Sequence, residues 1–147
     1  MAASTKIRVP AWALLLAGVF LVILFRTAWV CDDAYITMRA VWNLNHGYGP
    51  VWNVAERVHV YTHPLWFWIV SLLYAFTEEA YFTLIFSGMA LSMAAFWLAQ
   101  RRALLCGATA LVTGLLLICS KAFTDYSTSG LENPLAHLLL LAFLGLF

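Results

Sequence analysis

The sequence has few charged residues and few cysteines. Only 10% of its 147 residues are charged, whereas a soluble domain carries about 25%. The net charge is +1, so nothing indicates nucleic-acid binding, and no polybasic run indicates an electrostatic lipid tether. The three cysteines have no motif spacing, which argues against a disulfide framework and against a cysteine zinc site.

The chain is rich in apolar residues. Hydrophobic residues make up 64% of the chain and aromatic residues 16%, against roughly 45–50% apolar residues in a soluble domain. This composition predicts an all-α membrane protein, a polytopic bundle of transmembrane helices. The apolar runs predict spans at 10–31, 80–100, 103–122 and 134–147. Because the last run stops short of the ~20 residues that a span needs, we expect the chain to be the N-terminal piece of a longer protein.

The charges predict how these segments are oriented. If the apolar stretch 64–77 also crossed the membrane, the arginine pair at 101–102 would lie outside and the glutamate pair at 78–79 inside, against the positive-inside tendency. A run of ~10–14 apolar residues is more often re-entrant or interfacial. We therefore place 64–77 in the outer interface and the N-terminus inside. The outer loops 32–79 and 123–133 then share one side of the membrane and can form one site.

The first outer loop begins with two adjacent aspartates, Asp32 and Asp33. Apolar residues near helical spacing follow and predict an interfacial amphipathic helix over 34–46. One aspartate can cap that helix, but one cap does not explain two acids. The alternatives are helix capping and chemistry, in which two close carboxylates raise the pKa of one of them and bind a divalent cation if one is used.

Polar residues at the ends of the outer loops are further site candidates. In the second loop, Asp125 and Glu132 either are solvated membrane-boundary groups or face the two aspartates across an outer cavity. In the first loop, His59 and His63 have a spacing that would suit zinc on a helix. The flanking sequence favours extended chain instead, so we interpret them as hydrogen-bonded loop histidines.

Two stretches carry a resemblance to a known family. The residues DDAYITMRAVWNLNHGYGPVWNVAERVHVYTHPLW in the first loop and YSTSGLENPL in the second resemble the outer motifs of polytopic GT-C type glycosyltransferases. They are most similar to the terminal arabinofuranosyltransferase family, some relatives of which are called flagellar motor control proteins. The resemblance covers about residues 10–147. Family members are several times longer than this chain.

The resemblance implies a multi-pass enzyme of the bacterial cytoplasmic membrane. Such an enzyme takes a sugar from a polyprenyl-phosphate donor at the outer face and transfers it to a glycan or other envelope acceptor. By position in the motifs, Asp32 and Asp33 match the acid that acts as base or metal ligand. Glu132 matches the second acid of the site, with Asp125 as the alternative.

The remaining candidates follow from the chemistry that such a transfer needs. A base must deprotonate the acceptor hydroxyl, and the leaving phosphate needs a cation or a metal. We expect Trp66 to anchor its loop at the interface. Two other functions compete with the enzyme: a membrane scaffold and, ranked last, a transporter. The predicted substrate-binding residues are Arg39, Arg57, Tyr61, His63, Lys121 and Asp125.

Overall fold

The computed structural model describes residues 10–56, 58, 60–105 and 109–146. Every regular element in these residues is an α-helix, which confirms the all-α prediction for this part of the chain. The helices are α1 (Ala11–Thr27), α2 (Asp32–Asn45), α3 (Pro64–Thr77), α4 (Ala80–Leu105), α5 (Ala110–Cys119), α6 (Lys121–Tyr126) and α7 (Asn133–Phe143).

Within the described ranges, α4 alone is long and apolar enough to cross a membrane as a single helix. Its 26 residues correspond to about 39 Å of helix. Helices α1 and α2 qualify only as a pair, and the chain bends by 84° between them. The other apolar helices, α3, α5 and α7, have 14, 10 and 11 residues. By length and composition, one membrane span can therefore be assigned, or two if α1 and α2 together count as one. The polytopic bundle stays a prediction.

The structure divides the chain differently from the predicted spans after residue 100. Helix α4 continues past the arginine pair to Leu105, because arginine, alanine and leucine all favour helix. Helix α5 then covers only 110–119 of the predicted segment 103–122. At Ser120 the backbone is extended, and the Ser120 hydroxyl accepts a hydrogen bond from the N–H of Phe123. This cap begins α6, so the helical structure changes at residue 120, and the span 103–122 stays a prediction.

Helix α4 contributes side chains to two hydrophobic clusters. On one side, Phe20 of α1 stacks on Phe96 of α4 and on Phe123 of α6, with ring centroids 4.8 and 5.5 Å apart. On the other side, α4 supplies Leu84 to a cluster built mainly by α2 and α3. The second cluster fixes α2 and α3 side by side and so positions the polar residues at their ends.

A buried polar loop follows α6 and packs into the side of α4. Residues 127–130 are all buried, and the Ser92 hydroxyl donates to the Ser127 carbonyl over 3.4 Å. A Cβ on Gly88 would lie 2.6 Å from that carbonyl oxygen, so only glycine lets the loop approach this closely. Irregular backbone within an apolar bundle is tolerated where protein covers it, and α4 provides that cover.

Candidate functional site

Asp32 and Asp33 form the first turn of α2. The helix therefore begins at Asp32, two residues before the predicted start, with Cys31 in the extended N-cap position. One oxygen of Asp32, Oδ1, accepts hydrogen bonds from the Asp33 N–H at 3.0 Å and from the Cys31 thiol at 3.2 Å. The Asp33 carboxylate has no hydrogen bond or ion pair to another described residue. The capping contact thus belongs to Asp32, and Asp33 is left open to solvent.

The local contacts also set the acidity of Asp32. The hydrogen bond from the Cys31 thiol, followed by that from the Asp33 N–H, lowers the pKa of Asp32 below its ordinary value. We expected carboxylate repulsion to raise the pKa of one aspartate. At Asp32 this is wrong, because two donors stabilise the ionised form. Asp32 is therefore a weaker base than an ordinary aspartate.

These residues also form a group that could hold a metal ion. One ligand atom each from Cys31, Asp32 and Asp33 lies within 4.8 Å of the others. Mg²⁺ is bound through one or two carboxylates with waters and substrate phosphates, and both carboxylates here are exposed. The donor set fits a hard divalent cation through its oxygens, whereas the Cys31 sulfur would suit a softer metal. We did not foresee Cys31, although it directly precedes Asp32.

The two predicted outer loops meet beside α2. The Cys31 N–H donates to the Ser129 carbonyl over 2.8 Å, and the Trp29 indole N–H donates to the Asp125 carbonyl over 2.9 Å. A Cβ on Gly130 would lie 2.8 Å from the Cβ of Ala34. The chain before Glu132 therefore packs directly against the residue that follows Asp33.

Glu132 pairs with His63 from the other loop. His63 Nδ1 lies 3.3 Å from Glu132 Oε1 and 2.9 Å from the Thr62 hydroxyl. The second carboxylate oxygen of Glu132 is buried and has no hydrogen-bond partner among the residues that the structure describes. No hydrogen bond joins Glu132 to Asp32 or Asp33 in the described part of the chain. The structure thus joins two predicted site residues, His63 and Glu132, in a pair that we did not predict.

Arg39, which we predicted to bind phosphate, instead contacts the loop that follows α2. Its Nε donates to the Trp52 carbonyl over 3.0 Å, and Nη2 donates to Asn53 Oδ1 over 2.9 Å. The guanidinium also lies 4.4 Å from the centre of the Trp52 ring. Arg39 therefore fastens the loop that follows α2, because these polar groups lie within its reach.

The other candidates have separate surroundings. Lys121 forms an ion pair with Asp125 over 3.2 Å on the surface of α6, and such exposed pairs contribute little to stability. The Tyr61 ring stacks on Phe67 with centroids 4.0 Å apart. Arg57 and His59 lie outside the described residues. Of the predicted set, Asp32, Asp33, Glu132 and His63 have side chains near the meeting loops, whereas Asp125 contributes only its backbone carbonyl to that contact.

Trp66 does not occupy the interface position that we predicted. It is 1% exposed, and its indole N–H donates to the Gly130 carbonyl over 3.0 Å. The residues lie 64 apart in sequence, so no local pattern could have revealed the contact. The buried indole ties the first loop to the second at the point where the site forms.

We expect Trp66→Phe to lower the free energy of unfolding by about 1–3 kcal/mol, because the buried Gly130 carbonyl loses its donor. Thermal unfolding of the purified protein in detergent measures the change. The matched control is Trp68→Phe, since Trp68 is 55% exposed on the same helix. Equal stability of the two variants would contradict a role for the indole N–H.

Two curated relatives are similar to parts of this chain. A Corynebacterium glutamicum protein named terminal beta-(1->2)-arabinofuranosyltransferase is 42% identical over 50 residues, which cover 34% of this chain and 7% of that protein. A Mycobacterium tuberculosis protein of the same name is 36% identical over 134 residues, which cover 80% of this chain and 20% of that protein.

The chain therefore spans about a fifth of the length of its mycobacterial relative. No family model matches it, and no solved structure matches it. The two matches agree with the resemblance carried by the loop motifs. Over the matched stretches, the chain is therefore a fragment-level match to proteins named terminal beta-(1->2)-arabinofuranosyltransferase.

Proposed function

We propose that the full-length protein is a glycosyltransferase that moves a sugar from a polyprenyl-phosphate donor to a cell-envelope acceptor. The main support for this proposal is a contact: the start of α2, which bears the two aspartates, packs against the loop that bears Glu132. The name of the relatives indicates arabinofuranose as the sugar. The reaction takes place at the outer face of the cytoplasmic membrane.

Asp33 is the proposed general base. Its carboxylate is exposed and has no competing partner among the described residues, whereas Asp32 is engaged by two donors that lower its pKa. Asp33 accepts the proton of the acceptor hydroxyl. The hydroxyl oxygen then bonds to the anomeric carbon of the donor, while the bond from that carbon to the phosphate oxygen breaks. The lipid phosphate leaves as an anion.

His63 is the proposed partner of the leaving phosphate. Its Nδ1 faces Glu132 and Thr62, and among the described residues Nε2 has no partner. An imidazole N–H at Nε2 can donate to a phosphate oxygen. If the two aspartates instead hold a divalent cation, that cation would supply the positive charge at the phosphate.

An apolar groove supports a lipid-linked donor. It lies between α3 and α4 and has a volume of about 530 Å³. A polyprenyl chain has no polar groups, so an apolar groove can hold it without unpaired hydrogen-bonding groups. The side chains that line it include Ile69, Leu73, Phe82, Phe86 and Leu91.

We propose that α4 crosses the membrane with Ala80 outside and the arginine pair at 101–102 inside. The positive-inside tendency supports this direction. It places both meeting loops on the outer side, where a lipid-linked donor and an envelope acceptor are both accessible. The multi-pass arrangement of the remaining apolar helices is part of the same proposal.

Reconstitution of the full-length protein in liposomes tests the function. The liposomes receive a panel of radiolabelled polyprenyl-phosphate sugars and an arabinan acceptor, and the product is measured by its incorporated label. We expect transfer from the arabinofuranosyl donor. Absence of transfer from every donor, together with unaltered cellular function of an Asp32→Asn, Asp33→Asn double variant, would contradict the proposal and favour a scaffold.

We expect Glu132→Gln to lower the transfer rate by about 10–100-fold. The loss of one charged hydrogen-bond partner costs about 1.5–3 kcal/mol, and each 1.36 kcal/mol changes a rate tenfold. The matched control is Asp125→Asn in the same loop, since within the described part of the chain the Asp125 carboxylate pairs only with the exposed Lys121. A similar rate for both variants would remove Glu132 from the site.

A further inference from the structure

We propose that a second pocket, at the C-terminal ends of α2 and α3, binds a saccharide. The choice of arabinan as the saccharide rests on the proposed function, whereas the pocket itself does not. Its volume is about 530 Å³. The lining residues are Trp42, Asn45, His46, Tyr74, Ala75 and Glu78.

The aromatic surface of the pocket suits a sugar ring. Trp42 is 44% exposed and Tyr48 beside it is 53% exposed. Trp42 stacks on His46 with ring centroids 4.0 Å apart, which holds the indole in a fixed orientation. A sugar ring has an apolar face of C–H groups and a rim of hydroxyls, so a fixed, half-exposed indole offers it a large contact at low entropic cost.

The polar groups of the pocket are placed to pair with sugar hydroxyls. The Asn45 amide nitrogen donates to the carbonyls of Val41 and Ser71, which leaves Oδ1 as an acceptor. His46 Nδ1 contacts the Trp42 carbonyl over 2.8 Å, and Nε2 has no partner among the described residues. Binding sites for small ligands combine an apolar wall with a few such convergent polar groups.

Glu78 is the clearest sign that the pocket has a function. It is the C-cap of α3 and has a φ of +52°, a left-handed conformation that glycine adopts far more readily. In the described part of the chain its carboxylate has no hydrogen bond or ion pair. Backbone strain of this kind is concentrated at functional sites and ligand clamps, and the exposed carboxylate is accessible to a ligand.

The pocket lies on the same helix as the proposed base but at the opposite end. Trp42 follows Asp33 by nine residues, which is roughly 14 Å of helix. One sugar ring cannot contact both residues, so the geometry favours an oligosaccharide acceptor. The neighbouring Glu79 lines the apolar groove instead. The acceptor glycan and the donor lipid thus occupy different faces of α3.

Calorimetric titration of the full-length protein in lipid nanodiscs tests the pocket. The probe is a linear arabinofuranose tetrasaccharide, with cellotetraose for comparison. We expect Trp42→Ala and Glu78→Gln each to weaken binding of the tetrasaccharide by about 10-fold or more. The matched control is Trp68→Ala, an exposed indole on α3. This control should bind as the unmodified protein does.

Glu78→Gly separates binding from folding. Glycine relieves the left-handed strain, so we expect a higher melting temperature together with weaker binding. Asp33→Asn should bind the tetrasaccharide normally while it loses transfer. If the protein binds cellotetraose as tightly as the arabinofuranose tetrasaccharide, the pocket is a saccharide site but is not selective for arabinan. Undetectable binding to the unmodified protein, or unchanged binding in Trp42→Ala and Glu78→Gln, would overturn the proposal.

Discussion

Asp33→Asn is expected to lower the rate of sugar transfer by about 10²–10⁴-fold, the usual contribution of a general base. Asparagine keeps the size of the side chain but cannot accept the acceptor's proton. Asp32→Asn should have a smaller effect on the rate, because Asp32 already accepts hydrogen bonds from Cys31 and from the Asp33 N–H. The measurement is the initial rate of label transfer in liposomes.

The order of the two variants is the informative result. A larger loss in Asp32→Asn would reverse the assignment and make Asp32 the reactive carboxylate despite its lowered pKa. Equal losses would indicate that both aspartates bind one cation, which a titration with Mg²⁺ or Mn²⁺ would then detect as a higher metal requirement in both variants. Unchanged rates in both variants would leave the aspartates as helix-terminal groups and move the base elsewhere.

Gly88→Ala is expected to lower the free energy of unfolding by about 1–3 kcal/mol, the usual cost of overpacking. The added methyl group would lie 2.6 Å from the Ser127 carbonyl oxygen, which is backbone and cannot rotate away. The buried loop must then move from α4, and with it the chain that leads to Glu132. We therefore expect sugar transfer to fall as well. Thermal unfolding in detergent and the transfer assay measure the two effects.

Gly18→Ala on α1 is the matched control. No atom of the described residues lies within 4 Å of a Cβ at this helical position, so alanine should raise the free energy of unfolding by up to about 1 kcal/mol through its better helix propensity. The two glycine-to-alanine changes are thus expected to have opposite signs. The same sign at both positions would show that helix propensity, and not contact with the loop, governs Gly88.

The sequence alone indicated the all-α class, the family and the stretches of chain that carry polar chemistry. These properties depend on composition and on local patterns. Proline at the first position favours a helix start, and α3 begins at Pro64. The motif around Asp32 and the motif around Glu132 could likewise be identified because each is a contiguous run of residues.

Only the tertiary structure decided which candidate residues act together. The pairing of His63 with Glu132, the burial of Trp66 against Gly130 and the tight passage of the loop past Gly88 all join residues far apart in sequence. No period or spacing encodes such contacts, because they depend on how the helices pack. The sequence placed Asp32 and Asp33 together, but only the three-dimensional contacts of each carboxylate distinguish a helix cap from a candidate base.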